Sequence, residues 1–312
     1  MVMKNVKIAS KESANFFYLN HALKNIFAPE GVEILESPVA FKKYSWLKKY
    51  WQEKPKEGYF IWVKQQPKQP LTACVAISRL KTNQKLRNLL IIEKDINAES
   101  SVSCSAFAID LCAKHQAQGM IVLKEGASLS YKHMHSWGKD DYVEPDYEFI
   151  LEKGAKLDYF YQLLNPPKEL TFKTKISLLK KASANMKIVV RGEHSSININ
   201  EEMIFLGKQS QGSVSLRLVA DKQTIIKGVN QLIAEKEARG HLNCQGMILD
   251  DHSFIQLIPA LTNKNKKSLL THEASIGKIN EEEINYLRSR GLSLKEAINL
   301  IVNGFLHLDP LK

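Results

Sequence analysis

The sequence predicts a mainly β chain: a repetitive β core with shorter helix-patterned segments before and after it. Three observations carry this. From about residue 71 to 262 the chain is a succession of short β runs with no helical stretch between them. Within that region Leu123-Lys124-Glu125-Gly126-Ala127-Ser128-Leu129-Ser130-Tyr131 returns 28 residues later as Leu151-Glu152-Lys153-Gly154-Ala155-Lys156-Leu157-Asp158-Tyr159. After it, cap residues and 3–4 spacing mark two helices.

In chain order, residues 1–70 read as an N-terminal helical domain, with 5–65 as its body. Ser13 can cap a helix carrying Phe16, Phe17, Leu19, Leu23 and Ile26, and Pro29-Glu30-Gly31 breaks it. Val32–Leu35 reads as a short strand. Ser37-Pro38 opens a second helix through Phe41, Tyr44, Trp46, Leu47, Tyr50 and Trp51, ending at Lys54-Pro55. A Tyr59–Val63 strand and the Gln/Pro linker at 65–70 close the segment.

Residues 71–275 form the β core. Its runs include Leu71–Ile77, Arg87–Ile92, Val102–Ile109, Gly119–Val122, Leu129–Met134, Tyr147–Leu151, Leu157–Leu163, Met186–Val190, Ser213–Val219, Thr224–Ile226, His241–Ile248 and Phe254–Ile258. Strand-turn units repeating at 20–30 residues suit stacked rungs. A parallel β-helix and a β-sandwich both satisfy the pattern, and the repeated Gly-Ala turn favours the β-helix.

Residues 276–312 return to helix. Asn280 caps a first helix with Glu281, Glu282 and Glu283 in its first turn, and Gly291 stops it. Ser293-Leu294-Lys295-Glu296 is a capping box for a second helix with Ala297, Ile298, Ile301, Val302 and Phe305. Its apolar cover exceeds what a lone surface helix needs, so part of it packs on the body or on another protein.

Composition narrows the function classes. The net charge is +11, but the lysines are scattered and no aromatic-interleaved basic motif or zinc-finger spacing occurs, so no nucleic-acid partner is expected. No apolar run approaches the roughly 18 residues of a membrane span, and the N-terminus lacks a signal-peptide pattern, so a cytoplasmic protein is expected. Four cysteines, Cys74, Cys104, Cys112 and Cys244, make no disulfide framework. Cys104 and Cys112 have apolar neighbours and are expected to be buried.

Cys244 differs, lying between Asn243 and Gln245. On a strand, Leu242, Cys244 and Gly246 share one face, with His241, Asn243 and Gln245 on the other. His272 and Glu273 follow as adjacent residues and would point to opposite sides. A thiol, an imidazole and a carboxylate are ligand types for zinc, copper(I) or an iron–sulfur cluster. Spacing alone leaves open whether Cys244 is a ligand or core filler, and whether His272 is a ligand or a turn residue. His133-Met134-His135 places two imidazoles on one strand face and needs further ligands from other strands, with His115 and His194 as candidates and packing as the plainer reading. No phosphate loop, serine nucleophile elbow or HExxH is present.

The segments Gly240–Leu249, Ile258-Pro259-Ala260-Leu261, His272–Ile279, Glu281–Ser293, Glu296-Ala297 and Asn303-Gly304-Phe305 together resemble the SufB/SufD family. Glu125-Gly126-Ala127 and His135-Ser136-Trp137-Gly138 are similar to its early β-helix segment, so the resemblance covers about 100–305 and is strongest after 240. It implies a right-handed parallel β-helix between N- and C-terminal helical domains. It also implies a non-catalytic scaffold for iron–sulfur cluster assembly, working with a SufC-type ABC ATPase that alone would use ATP. The resemblance matches Cys244 to the SufB cysteine that receives sulfur and holds a transient cluster. His272 matches a shared histidine, and Glu273 the SufB carboxylate where SufD-type chains often have Gly. The chain therefore leans toward SufB.

The same resemblance implies ATPase docking by the helices, through Ile279, Ile284, Tyr286, Leu287, Arg288, Arg290, Gly291, Ile298 and Phe305. It implies a second scaffold subunit paired at the C-terminal rungs, as a homodimer or a SufB/SufD-type heterodimer, and a separate sulfur donor. The chain departs from the family in being short, in lacking N-terminal cysteine motifs, and in carrying Cys74, Cys104 and Cys112 without a family role. The rival readings are a β-helix carbohydrate enzyme of lyase type, whose charged groove the sequence does not reveal, and a basic nucleic-acid binder.

Overall fold

Period-two alternation of buried and exposed residues, clearest in Ser196–Phe205 and Ile225–Ala234, gives each strand one inward and one outward face. The computed structural model describes residues 13–306; expectations for 1–12 and 307–312 lie outside the described residues. Strands β1 (Asn15–Leu19), β2 (Ala22–Phe27) and β3 (Val32–Glu36) precede helix α1 (Ser37–Lys43), a 3-10 turn (Ser45–Lys49) and β4 (Tyr59–Val63). The repetitive part runs β5 (Leu71–Ile77), β6 (Asn83–Ile92), β7 (Asn97–Ala106), β8 (Lys114–Leu123), β9 (Ser128–Ser136), β10 (Tyr142–Leu151), β11 (Lys156–Asn165) and β12 (Glu169–Leu178). It continues β13 (Ser183–Glu193), β14 (Ser196–Phe205), β15 (Ser210–Asp221), β16 (Ile225–Ala234), β17 (Ala238–Ile248), β18 (Phe254–Asn263) and β19 (Leu269–Lys278). Helices α2 (Glu281–Ser289) and α3 (Leu294–Leu306) follow.

From β5 onward, odd-numbered strands lie side by side in one sheet and even-numbered strands in the other. Every neighbour pair in this part is parallel, for example β10 with β8 and β12. The chain is therefore a parallel β-solenoid of about eight turns. The repeated turn seen in the sequence is one corner of it. Gly126 and Gly154 take φ +72 and +71, and the same corner is filled by Asp95, Lys181 and Gln209 at φ 58, 59 and 62. Each hands its N–H to the next rung, as in Gly126 N–H to Lys153 O and Gly154 N–H to Lys180 O. One left-handed residue per turn closes the corner, which glycine adopts without steric cost.

Between the sheets lies one continuous apolar core, with Tyr131 stacked on Tyr159 at 5.4 Å and Tyr161 tilted against Phe172 at 4.2 Å. Outside, the lysines that give the net charge are partly paired one rung apart, as Lys124–Glu152, Lys153–Glu125 and Lys264–Glu235. Such exposed pairs contribute about 0–1 kcal/mol each and serve more to align rungs than to hold them.

The N-terminal segment corrects one expectation. The helix predicted to start at Ser13 is a β-hairpin: β1 joins β5 in parallel and β2 pairs back on β1. Phe16 and Tyr18 alternate inward into the solenoid core, and Asn20 at φ 54 makes the turn. Apolar residues at 16, 17, 19, 23 and 26 fit a helix face equally well, and tertiary pairing decides the outcome. The strands at 32–36 and 59–63 form as expected, pairing antiparallel with each other and β4 in parallel with β6. The second predicted helix is shorter, broken at Tyr44 into α1 and the 3-10 turn. Residues 13–63 thus contribute four strands that extend both sheets and share their core. The antiparallel hairpins cap the N-terminal edge of the solenoid.

The two C-terminal helices form as the caps predict. Asn280 accepts from the N–H groups of Glu282 and Glu283, Ser293 and Glu296 close the capping box, and Gly291 sits at φ +96. Helix α3 lies on the outer face of the odd-numbered sheet, with Val302 and Leu306 packed against Val189 and Val219. Cys104 is buried as expected, but Cys112 is exposed, because it makes a left-handed turn between β7 and β8 at φ 49.

Candidate functional site

The two strands β17 and β19 place all three predicted ligand types at the C-terminal end of the solenoid. In their parallel register Leu242 lies beside His272, Asn243 beside Glu273 and Cys244 beside Ala274. Register fixes the faces. Cys244 and His272 point inward on neighbouring strands, whereas Glu273 points outward with Asn243, whose Nδ2–H donates to Glu273 Oε2 at 3.5 Å. Asn243 Oδ1 in turn accepts from the Arg217 guanidinium at 2.9 Å. The three groups do not converge on a single face, as their alternation in sequence requires.

Exposure divides them further. His272 and Glu273 are exposed, since β19 is the edge strand of its sheet with no rung beyond it. Cys244 is 0 % exposed, one strand in and sealed by β19. Burial pushes its thiol up to about 12, the nearby Glu201 carboxyl adds to this, and the Arg217 charge offsets part of it. The thiolate that would bind iron or attack sulfur is thus suppressed while β19 stays in place.

Sequence reasoning missed what faces Cys244 from the other sheet. Thr174, Glu201 and Asn230 occupy one register row on β12, β14 and β16, all inward and nearly fully buried. Thr174 Oγ1, both Glu201 carboxyl oxygens and both Asn230 amide atoms have no hydrogen-bond partner among the described residues. Burial raises the Glu201 carboxyl to about 8, and the neighbouring Glu202 charge adds to this, so it is neutral at ordinary pH. The only sequence signal for this row was its polar residues recurring at rung spacing.

The predicted docking residues divide likewise. Ile284 is buried, and Ile298 and Phe305 pack against the outer face of the sheet with Val302 and Leu306. Tyr286, Arg288, Arg290 and Gly291 are exposed, Leu287 and Ile279 half-buried, and Leu294 and Leu300 add exposed apolar surface that the sequence did not single out.

His133 and His135 both point inward. Cys104, on the adjacent strand β7 and in register with His135, joins them in a fully buried cluster whose ligand atoms lie within 4.8 Å of one another. Of the two histidines proposed to complete this pair, His115 is buried nearby with its ring 6.3 Å from that of His135, and His194 is an exposed turn residue elsewhere. On the outer face of the even-numbered sheet, Lys54, Lys56, Lys85, Arg87, Glu144 and Asp146 line a groove of about 450 Å³. They come from separate strands and a loop, which is why the sequence did not reveal it.

Comparison with known proteins follows the same outline. The family model for the SUF system FeS cluster assembly SufBD core domain matches residues 76–305. An iron–sulfur cluster assembly SufBD family protein of Archaeoglobus fulgidus is 30% identical over 298 residues, covering 90% of this chain and 80% of that one. A SufBD family protein of Methanothermobacter thermautotrophicus is 29% identical over 306 residues, covering 90% and 75%. The iron–sulfur cluster assembly protein SufB of Bacillus subtilis is 26% identical over 257 residues, covering 80% of this chain and 55% of its own length.

Proposed function

The chain belongs to the SufBD core family of the SUF system, and from that premise we propose that it is a scaffold subunit on which an iron–sulfur cluster is built and handed on. The cluster is cargo, and the chain itself catalyses no ATP hydrolysis. The observation that carries the reading is the open edge at the C-terminal rungs, where His272 and Glu273 are exposed and Cys244 lies one strand inside.

The proposed chemistry starts at Cys244. Its thiolate attacks the outer sulfur of a donor persulfide, takes that sulfur and releases the donor's thiolate. Iron then binds with help from His272 and Glu273, and Glu273, on the outer face, serves a second subunit in this reading. A second copy of the chain is the proposed partner. Support comes from Phe254, Ile258, Leu269 and Ile276, all more than two-fifths exposed on the two terminal strands beside unpaired backbone. A homodimer is the favoured form and a SufB/SufD-type heterodimer the other. The exposed side chains of α2 and α3 are the proposed dock for a SufC-type ATPase, through which alone ATP enters. Cytoplasmic location and right-handed winding belong to the same reading; among the described residues no helix is long and apolar enough to cross a membrane.

Anaerobic reconstitution with iron and sulfide tests this. The chain, with its co-expressed ATPase, should gain the visible absorbance of a cluster, and Cys244→Ser should lose most of it. Unchanged absorbance in Cys244→Ser would sink the ligand assignment. A second reading, an enzyme or binder of acidic glycans, is favoured by the charged groove alone. Turnover of a polyuronate by the isolated chain would support it, although the Glu144 carboxylate there is already engaged by Gln116 and Lys114.

A further inference from the structure

The interior holds a second set of metal-ligand side chains, far in sequence from the terminal strands. His133 and His135 on β9 turn their Nε2 atoms toward each other at 2.9 Å, and Cys104 Sγ on β7 lies 3.4 Å from His133 Nε2. All three residues are at least 96 % buried, with exposures of 2 %, 0 % and 4 %. We propose that Cys104, His133 and His135 form a binding site for one soft monovalent cation, Cu(I), distinct from the site of cluster assembly.

Ligand chemistry comes first. One thiolate and two neutral imidazoles suit soft d10 ions, Cu(I) and Zn(II) above all. Charge then separates the two. The side chains around the cluster, Tyr147, Tyr159, Tyr161, Trp137 and His115, include no carboxylate. With Cys104 as the sole anion, Cu(I) gives a neutral assembly, whereas Zn(II) leaves one positive charge buried without a partner. An uncompensated charge in such an interior is strongly disfavoured.

Protons and distances are compatible with this. In the metal-free chain Trp137 Nε1–H donates to His135 Nδ1 at 3.1 Å, so His135 carries its proton on Nε2 and donates to His133 Nε2. His133 then donates from Nδ1 to the Tyr159 hydroxyl at 3.3 Å. Metal binding replaces the proton shared between the rings. His135 moves its proton to Nδ1, where the Tyr161 hydroxyl at 3.3 Å can accept it, and the Cys104 thiol proton leaves to solvent. The two imidazole nitrogens must spread by about half an ångström to accept metal–nitrogen bonds. Trp137 is the one neighbour that has to turn away, because its N–H would face another N–H.

A Cys74→Ser, Cys112→Ser, Cys244→Ser chain, with Cys104 as its only cysteine, removes the proposed cluster ligand, so copper binding is read at this site alone and apart from cluster assembly. Offered Cu(I) from a competing chelator under anaerobic conditions, it should retain one equivalent. X-ray absorption should place one sulfur and two imidazole nitrogens around the metal, and copper should raise the Tm. Adding Cys104→Ser should abolish all three signals while circular dichroism shows the fold intact. Trp137→Phe removes the competing donor and should tighten binding by about five- to tenfold, the equivalent of one ordinary hydrogen bond, an effect that a purely packing role would not produce. Retention of no copper, unchanged retention in the folded Cys104→Ser chain, or equal affinity for Zn(II) would each overturn the proposal.

Discussion

Glu201→Gln should turn a pH-dependent weakness of the solenoid into a pH-independent one. Glu201 is 2 % exposed, and neither carboxyl oxygen has a hydrogen-bond partner among the described residues. Burial raises its pKa from an ordinary 4.5 to about 8. Below pH 4.5 the carboxyl is protonated in both the folded and the unfolded chain, and its ionisation costs nothing. Between 4.5 and 8 the unfolded chain releases the proton while the fold keeps it, so stability falls by about 1.4 kcal/mol per pH unit. Above 8 the fold has lost the whole difference, at most about 5 kcal/mol over those 3.5 units. Gln has nearly the same shape and never ionises. The variant should therefore match the parent at pH 4 and exceed it by several kcal/mol at pH 9, read from urea midpoints across the range. Every other titrating group is common to the two chains, so the difference isolates this carboxyl. Parallel pH profiles for parent and variant would refute the reasoning.

Other outcomes follow from the same structure. In timed alkylation read by mass spectrometry, exposed Cys112 should react first and half-buried Cys74 more slowly, with Cys104 and Cys244 unreactive until the chain unfolds. Rapid labelling of Cys244 in the isolated folded chain would contradict its sealing by β19. At the stacked corner, Gly154→Ala meets no neighbour within 4 Å and should cost only the left-handed strain, about 1–2 kcal/mol. Gly126→Ala should cost about the same, because the Asp95 carboxylate that its methyl group meets is the exposed end of a side chain free to turn away; a much lower urea midpoint than that of Gly154→Ala would contradict this.

Most of the solenoid was legible in the sequence because its corner repeats. The Gly-Ala turns at 126 and 154 stack one rung apart, and strands such as Leu71–Ile77 and Tyr59–Val63 read as short apolar runs bounded by turn residues. Strands β12, β14 and β19 were not recognised. Their outward positions hold Lys173, Lys175, Asn198, Asn200 and Glu273, and their inward rows admit Thr174, Glu201 and His272, which dilutes the apolar signal. The N-terminal hairpin was misread because Phe16, Phe17, Leu19, Leu23 and Ile26 fit helical spacing, and only pairing with β5 makes them strands. The buried metal-ligand cluster was half seen. His133 and His135 declared a shared face, but Cys104 looked like core filler until the 29-residue rung spacing placed it beside them. Spacing of one rung, rather than a short motif, is the signature of a site inside such a fold.

The terminal strand poses the sharpest mechanical question. β19 seals Cys244 and carries His272 and Glu273, and only Ile279 and Asn280 separate it from α2. It is bonded to a neighbour on one side only and is exposed along nearly its whole length, so it is the strand most easily lifted from the solenoid. On the proposed function, force applied to α2 and α3 by an ATPase reaches this strand first and uncovers the thiol. A staple tests that coupling. Gln245 and Ser275 are outward-facing register partners on β17 and β19, and a neighbouring-strand spacing of about 4.8 Å is within disulfide reach. In a Cys112→Ser background, the pair Gln245→Cys and Ser275→Cys should oxidise without unfolding the chain. It should then block sulfur uptake at Cys244 in the presence of ATPase and ATP, and reduction should restore it. Undiminished uptake by the oxidised, stapled chain would show that sulfur reaches Cys244 without the edge strand moving.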